Sequence, residues 1–456
     1  GPVYIMNFQK KCLPTSNFVI LLVVLSSFWG VSLLNYLSMM MNNGTSHRIP
    51  IPVTEATEGW SYPHHDRQQQ QQDRRVTTVF STACSTSQDW QSQVVVYNHY
   101  RMGIPGDLVR LMSCEDRNYQ LPNHTTHPNY RVVWTPDFDR EAVELGHVSY
   151  SARNRPASME YWLSGRSDDQ QYPRGHRHIV LAIDPDQVFL TGRLNLSQVQ
   201  PKHAIAAEYD LGTKFLGKWA HVCKLHNQTR SSTSLDRDKD KTTNIESNNN
   251  KTKCHLWQKY QSNPSFGHPQ VMTASDALEH SRVWYHMTNE IKAHGHDGWE
   301  TEMFSNVFAG ILVGIHFDVR RFMMSSHVAY AEPWNDVLGS SPLLKETTMA
   351  TLPMWIGHYC QEYQVGSFSW YKKQPSSRAY NIHSCEEDPR ESFVKSPTAD
   401  VSELMEKIRR FRQSGHTNAD TEKIGEAEFR QVWMLDHVWT KVREALVAHY
   451  EAFCGN

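Results

Sequence analysis

Between residues 76 and 315 the chain alternates short runs of β-branched and apolar residues with segments of three- and four-residue apolar spacing, and this restricts its fold more than any other feature. VTTVFSTA (76–83) reads as a strand and flows into WQSQVVVYNHYR (90–101), whose apolar positions have helical spacing. DLVRLMSC (107–114) and RVVW (131–134) are further strands, and a helix begins near Pro156 with MEYWL as its apolar side. HIVLAI (178–183), AIAAEY (204–209) and QVMTAS (270–275) complete the strands, ahead of helices over 277–292 and 301–315. Alternation of this kind predicts an α/β fold, a mainly parallel, Rossmann-like sheet flanked by helices on both faces. In such sheets the ligand sits beyond the carboxyl ends of the strands.

One segment puts chemistry at that edge. In IVLAIDPDQVFL (179–190) a buried-looking strand runs into Asp184-Pro185-Asp186, although aspartates are rarely buried without a partner. Proline fixes φ and projects both carboxylates to a common side as the chain turns. Two such groups suit a hard divalent cation, Mn²⁺ or Mg²⁺, which in turn grips a diphosphate. The competing reading is a structural turn. Asp-x-Asp also occurs at 137–139, 236–238 and 238–240. The last two fall in a polar stretch, and the first precedes Arg140-Glu141 and reads as a helix start. Only 184–186 follows a strong strand.

The ends of the chain are different in kind. Residues 18–34, FVILLVVLSSFWGVSLL, carry no charge, and the uncharged stretch continues to Ser46. That is long enough to cross a bilayer at about 1.5 Å per residue. Lys10 and Lys11 precede it, predicting a cytosolic tail (1–17) and an uncleaved transmembrane anchor (18–40). A cleaved signal peptide is the alternative, but its apolar region is usually about 7–15 residues. Residues 41–75 hold Pro50, Pro52, Pro63 and the run Gln68 to Gln72, and read as a flexible stem. Everything beyond would lie in the lumen, where five Asn-x-Ser/Thr sequons (Asn43, Asn123, Asn195, Asn227, Asn250) and seven of the eight cysteines are placed. Cys223 and Cys254 bracket the polar insertion 228–253 and are expected to close it. Cys84 with Cys114, and Cys360 with Cys385, are further candidate pairs. Zinc is a poor alternative, because no cysteine pair has short Cys-x₂₋₄-Cys spacing. A net charge of −2 gives no electrostatic case for nucleic acid.

WQSQVVVYNHYRM (90–102), VRLMSC (109–114), NRPASMEYWL (154–163), IVLAIDPDQVFL, GHPQVMTASDAL (267–278), DGWETEMFSNVFAG (297–310) and WIGHYCQEYQVGSFSWYKK (355–373) resemble, in the same order, motifs of one family. It is the plant and algal hydroxyproline O-arabinosyltransferase and peptidyl serine α-galactosyltransferase group. The resemblance covers about residues 76–375. It implies a Golgi (or ER) single-pass type II membrane glycosyltransferase of GT-A fold, over 76–380. Such an enzyme uses a UDP-sugar and Mn²⁺ (or Mg²⁺), retains the anomeric configuration, and glycosylates a hydroxyproline or serine of an acceptor protein. The insertion at 228–253 and the extension over 381–456 have no counterpart in the family pattern. In the extension, Leu435, Val438, Trp439, Val442 and Leu446 form one apolar helical stripe, expected to dock on the catalytic domain.

Asn154 and Arg155 precede a helix, where the guanidinium could meet a diphosphate or uracil. The bland reading is a capping Asn and a surface Arg. With Asp184 they make the candidate donor-binding set. Glu302, on an otherwise apolar helix, is either buried with a partner or faces the sugar; it is the first catalytic candidate, with Asp297 beside it. His358 follows Met354-Trp355-Ile356 and is either structural or a third metal ligand with Asp184 and Asp186. A membrane-tethered sugar-binding or scaffold protein on the same fold is the alternative to an enzyme. Metal-dependent phosphatase chemistry is weaker, since Gln187-Val188 follows Asp186 without a Gly-Thr loop.

Overall fold

A computed structural model describes residues 74–122, 127, 129–192, 196–209, 266–296, 298–320, 323–325, 356–374, 376, 380–399, 401–406 and 426–455. The expected anchor, nearly all of the stem, and the Cys223–Cys254 loop lie outside them. Among the described residues no helix is long and apolar enough to cross a membrane. The chain divides into Gly1–Pro63 and His64–Asn456, and all described residues belong to the second unit.

The first half follows the expected alternation. Strand β1 (Val76–Ala83) leads into α1 (Thr86–Arg101), then β2 (Asp107–Ser113), β3 (Tyr130–Thr135), α2 (Phe138–Glu144) and α3 (Asn154–Leu163). Next come β4 (Ile179–Ala182), β5 (Gln187–Phe189), β6 (His203–Glu208), β7 (Phe266–Thr273), α4 (Ala274–Ala293), α5 (Thr301–Val313) and β8 (His316–Arg320). The helices start where side chains can take their free amides. Ser85, Asp137 and Thr273 each accept a backbone N–H of the following turn. Asp137 thus serves as the helix start that its sequence suggested. Gly314, at φ 72°, ends α5 in the left-handed region.

A seven-stranded sheet forms in the order β3-β2-β1-β4-β7-β6-β8. The pairs β1–β2, β2–β3, β1–β4 and β6–β8 are parallel. Strand β7 runs antiparallel to both its neighbours, so the sheet is mixed rather than uniform. Apolar pattern carries no information on strand direction, which is why β7 looked like the others. Alternate residues feed opposite faces. Val79, Val180, Ala182 and Met272 pack with Trp162 of α3, Met287 of α4 and Phe308 of α5. Phe80, Ile179, Leu181 and Val271 pack with Val95 and Val96 of α1. Both faces are therefore covered, as a largely parallel sheet requires.

Three short elements, β9 (Met324–Ser325), β10 (Ile356–His358) and β5, make a second sheet in the order β5-β10-β9. A hairpin of β11 (Tyr363–Val365) and β12 (Phe368–Trp370) follows. In the extension, read as helical over 381–456, residues 381–398 are turns and loop that bury Ile382, Phe393 and Val394. Helix appears over 401–406 and resumes as α6 (Glu426–Met434) and α7 (Thr440–Cys454), joined by a π-helical turn (Leu435–Trp439). Leu435, Val438, Trp439, Val442 and Leu446 are all buried against Trp90 and Val94 of α1 and Val188 of β5. The stripe is a docking face. Cys84 and Cys114 are bonded. The expected Cys360–Cys385 bond is not made: Cys385 pairs with Cys454, and Cys360 carries a free thiol. Spacing along a chain says little about Cα separation, which is 5.5 Å for the pair that forms.

Candidate metal centre and active site

Backbone pairing assembles the site. Strand β4 carries the chain up the middle of the large sheet, and the Ile183 N–H still donates to Val79 O at 3.0 Å. Asp184-Pro185-Asp186 then turns out of that sheet, closed by Gln187 N–H to Asp184 O at 3.1 Å, and enters the small one as β5. There β5 pairs antiparallel with β10, with His358 opposite Gln187. The Tyr359 N–H extends the ladder to Asp186 O at 3.0 Å. A residue 172 positions downstream is thus held beside the turn by strand register.

Asp184, Asp186 and His358 are buried and each offers a ligand atom, all within 4.8 Å of one another. His358 Nε2 lies 3.2 Å from Asp186 Oδ2 and 3.9 Å from Asp184 Oδ2. Asp184 Oδ1 is buried and accepts no hydrogen bond, although Arg155 Nη1 is 2.9 Å away and His268 Nδ1 3.3 Å. A buried acceptor that meets arginine as an ion pair without a hydrogen bond, beside a second carboxylate and an imidazole, belongs to a donor set that fits a hard divalent cation. Burial opposes ionisation of Asp186, but Lys372 and His358 hold its carboxyl well below the usual range. Burial favours the neutral His358 ring, yet Cys360 and Asp186 beside it raise its proton affinity well above the ordinary histidine range. A ligand imidazole must be neutral, so cation binding there would release that proton.

A second group surrounds Arg155, in the first turn of α3. Its Nη1 lies 3.2 Å from Glu302 Oε1 and donates to His268 Nδ1 at 3.3 Å. Burial lowers the His268 pKa to about 3, which suits an accepting neutral ring. Glu302 opens α5, with its N–H donating to Tyr150 Oη at 3.0 Å and its carbonyl accepting from Trp284 Nε1 at 2.8 Å. Burial raises the Glu302 carboxyl to about 7, against the pull of Arg155. Asp184, Asp186, His358, Arg155 and Glu302 therefore form one connected cluster. Asn154 does not reach into it: its carbonyl accepts from Asp139 N–H and its amide donates to Asp137 Oδ1, both at 2.9 Å. That amide bridges α2 to α3. Asp297 lies outside the described residues.

Two members were not singled out from sequence. His268 is aimed by a bulge: opposite β6 the register jumps from Gln270 to Gly267, leaving His268 and Pro269 unopposed. A proline inside an otherwise strand-like run was the available signal. Lys372, just past β12, bonds to Asp186 Oδ2, and nothing local marked it among two adjacent lysines.

No family model matches the chain. Among curated proteins it is 22% identical over 312 residues to the peptidyl serine alpha-galactosyltransferase of Arabidopsis thaliana, a match covering 65% of this chain and 31% of that protein. The chain resembles that family. The motif order read above and this match agree, and the chain spans about a third of the relative's length. A solved structure described as "WbbM bifunctional glycosytransferase apo structure" overlaps 64% of this chain and 46% of its own at 13% identity, with a TM-score of 0.33. At that score it carries no weight here.

Proposed function

We propose that the chain is a glycosyltransferase of GT-A fold that moves a pentose or hexose from a UDP-sugar to a protein hydroxyl, with retention. The observation that carries this is the convergence of Asp184, Asp186 and His358 beyond the end of β4, with one carboxylate oxygen lacking a hydrogen-bond donor. These three would hold Mn²⁺ or Mg²⁺. When bound, the ion supplies neutralisation of the negative charge that grows on a departing diphosphate. Arg155 adds a second positive charge at the same rim and is preorganised by Glu302 and His268. Glu302, with its carboxyl near 7, can hold or release a proton at neutral pH and is the candidate to meet the reacting sugar or the acceptor hydroxyl. Asp297 stays a second candidate from the sequence.

The relative's name narrows the proposal to galactose and serine, with arabinose and hydroxyproline as the other branch of the resemblance. The two disulfides agree with an oxidising lumen, and the uncharged run at 18–40 with a Golgi or ER type II anchor. Incubating the lumenal part with Mn²⁺, a panel of UDP-sugars including UDP-galactose and UDP-arabinose, and serine or hydroxyproline peptides tests this. Transfer from one donor is expected. No UDP release from any donor, with UDP-sugar binding intact, would instead identify a tethered sugar-binding protein.

A further inference from the structure

We infer that Lys372 is a built-in counter-ion that opposes a bare divalent cation and yields the seat when an anionic donor arrives. This rests on the metal reading above and concerns how the site is filled.

Two buried carboxylates cannot stand without compensation. Here each has its own cation: Arg155 lies beside Asp184 and Lys372 is bonded to Asp186. The two cations are differently held. Arg155 projects from the start of α3 and is shared with Glu302 and His268, so moving it would leave two carboxylates uncompensated and the His268 ring without its donor. Lys372 lies in a turn after the β11–β12 hairpin, on a flexible stem, and its side chain is 15% exposed. The hairpin itself is anchored by Trp370, 1% exposed. The stem can therefore swing while the backbone stays.

Asp186 Oδ2 is both the atom that Lys372 engages and the atom nearest His358 Nε2. A divalent ion between Asp186 and His358 would need that oxygen and would face the ammonium at close range. Like charges at such separation repel strongly in a buried site. A diphosphate removes the conflict, because its oxygens offer the ammonium a new partner beside the ion. Metal and diphosphate should then bind as partners, each raising the other's affinity by the same factor.

The test is Mn²⁺ binding by electron paramagnetic resonance and calorimetry at one fixed pH, with and without UDP. Wild type is expected to bind Mn²⁺ at least about tenfold more tightly with UDP present. Lys372→Met should bind Mn²⁺ alone about tenfold better than wild type and lose most of the gain from UDP. Lys372→Arg keeps the charge and should keep the low affinity for bare Mn²⁺, which separates charge from packing should the Met variant fold poorly. Equal affinity of wild type for Mn²⁺ with and without UDP, or no gain in Lys372→Met, overturns the inference. Asp186→Asn is the control for the seat. Absence of Mn²⁺ from wild type and Lys372→Met alike, with UDP present, would remove the metal reading itself and this inference with it.

Discussion

Asp89 and Asp184 are both buried carboxylates close to arginine, and they are treated in opposite ways. Asp89, in the first turn of α1, has both oxygens filled by its own chain. Oδ1 accepts from Arg110 Nη2 at 2.7 Å, and Oδ2 from Tyr119 Oη at 2.6 Å and His383 Nε2 at 2.9 Å. Neither Asp89 nor Arg110 has any exposure. Asp184 Oδ1 has an ion pair with Arg155 at 2.9 Å but no hydrogen bond, and its neighbour Asp186 leans on a lysine that reaches solvent. A carboxylate whose hydrogen bonds are all filled by its own fold is a strut. One with acceptor capacity left at a strand end is available to a ligand.

The largest effect should come from breaking the strut. Asp89→Ala strands Arg110 in the interior, and removing one partner of a buried pair costs about 3–5 kcal/mol. Denaturant unfolding should show that loss. Little change in stability would mean the pair is replaceable.

Glu302 sharpens the comparison through pH. Its carboxyl is raised from 4.5 to about 7, so the folded state binds more protons than the unfolded chain between these values. Stability present below about pH 4.5 is therefore lost as pH rises through 7, by up to about 3 kcal/mol. Glu302→Gln should flatten that slope. A melting profile equally steep in the variant would contradict it.

Asp186→Asn should act on function instead. Turnover should fall at least about 100-fold, or about 2.7 kcal/mol of transition-state stabilisation, while the melting temperature falls less than in Asp89→Ala because the Lys372 side chain is partly exposed, whereas Arg110 is not. Normal transfer with a normal metal requirement, or unfolding in place of inactivation, would make Asp186 a second strut.

The smallest change concerns the thiols. Alkylation of the native protein followed by peptide mapping should label Cys360 and leave Cys84, Cys114, Cys385 and Cys454 in their two bonds. A labelled Cys385 would reopen the pairing that spacing had suggested.

What could be read locally was read from local physics. Six strands of the large sheet, the long helices, the Asp137 cap and the docking stripe of the last helices follow from periodicity and side-chain chemistry within a few residues, whereas β5, β8 and β9–β12 were not read, being too short to show a period of their own. Asp184 and Asp186 stood out for the same reason, as charges at the end of an apolar run. The rest of the site depends on contacts that no local pattern encodes. His358 reaches Asp186 through the β5–β10 register, and His268 is turned inward by a bulge against β6. Lys372 arrives by a hairpin, and Cys385 meets Cys454 across 69 residues. Pattern reports which way a side chain faces within its own element. Which charge faces it from another element is set by how strands pair and close, and that pairing separates an open carboxylate from a satisfied one.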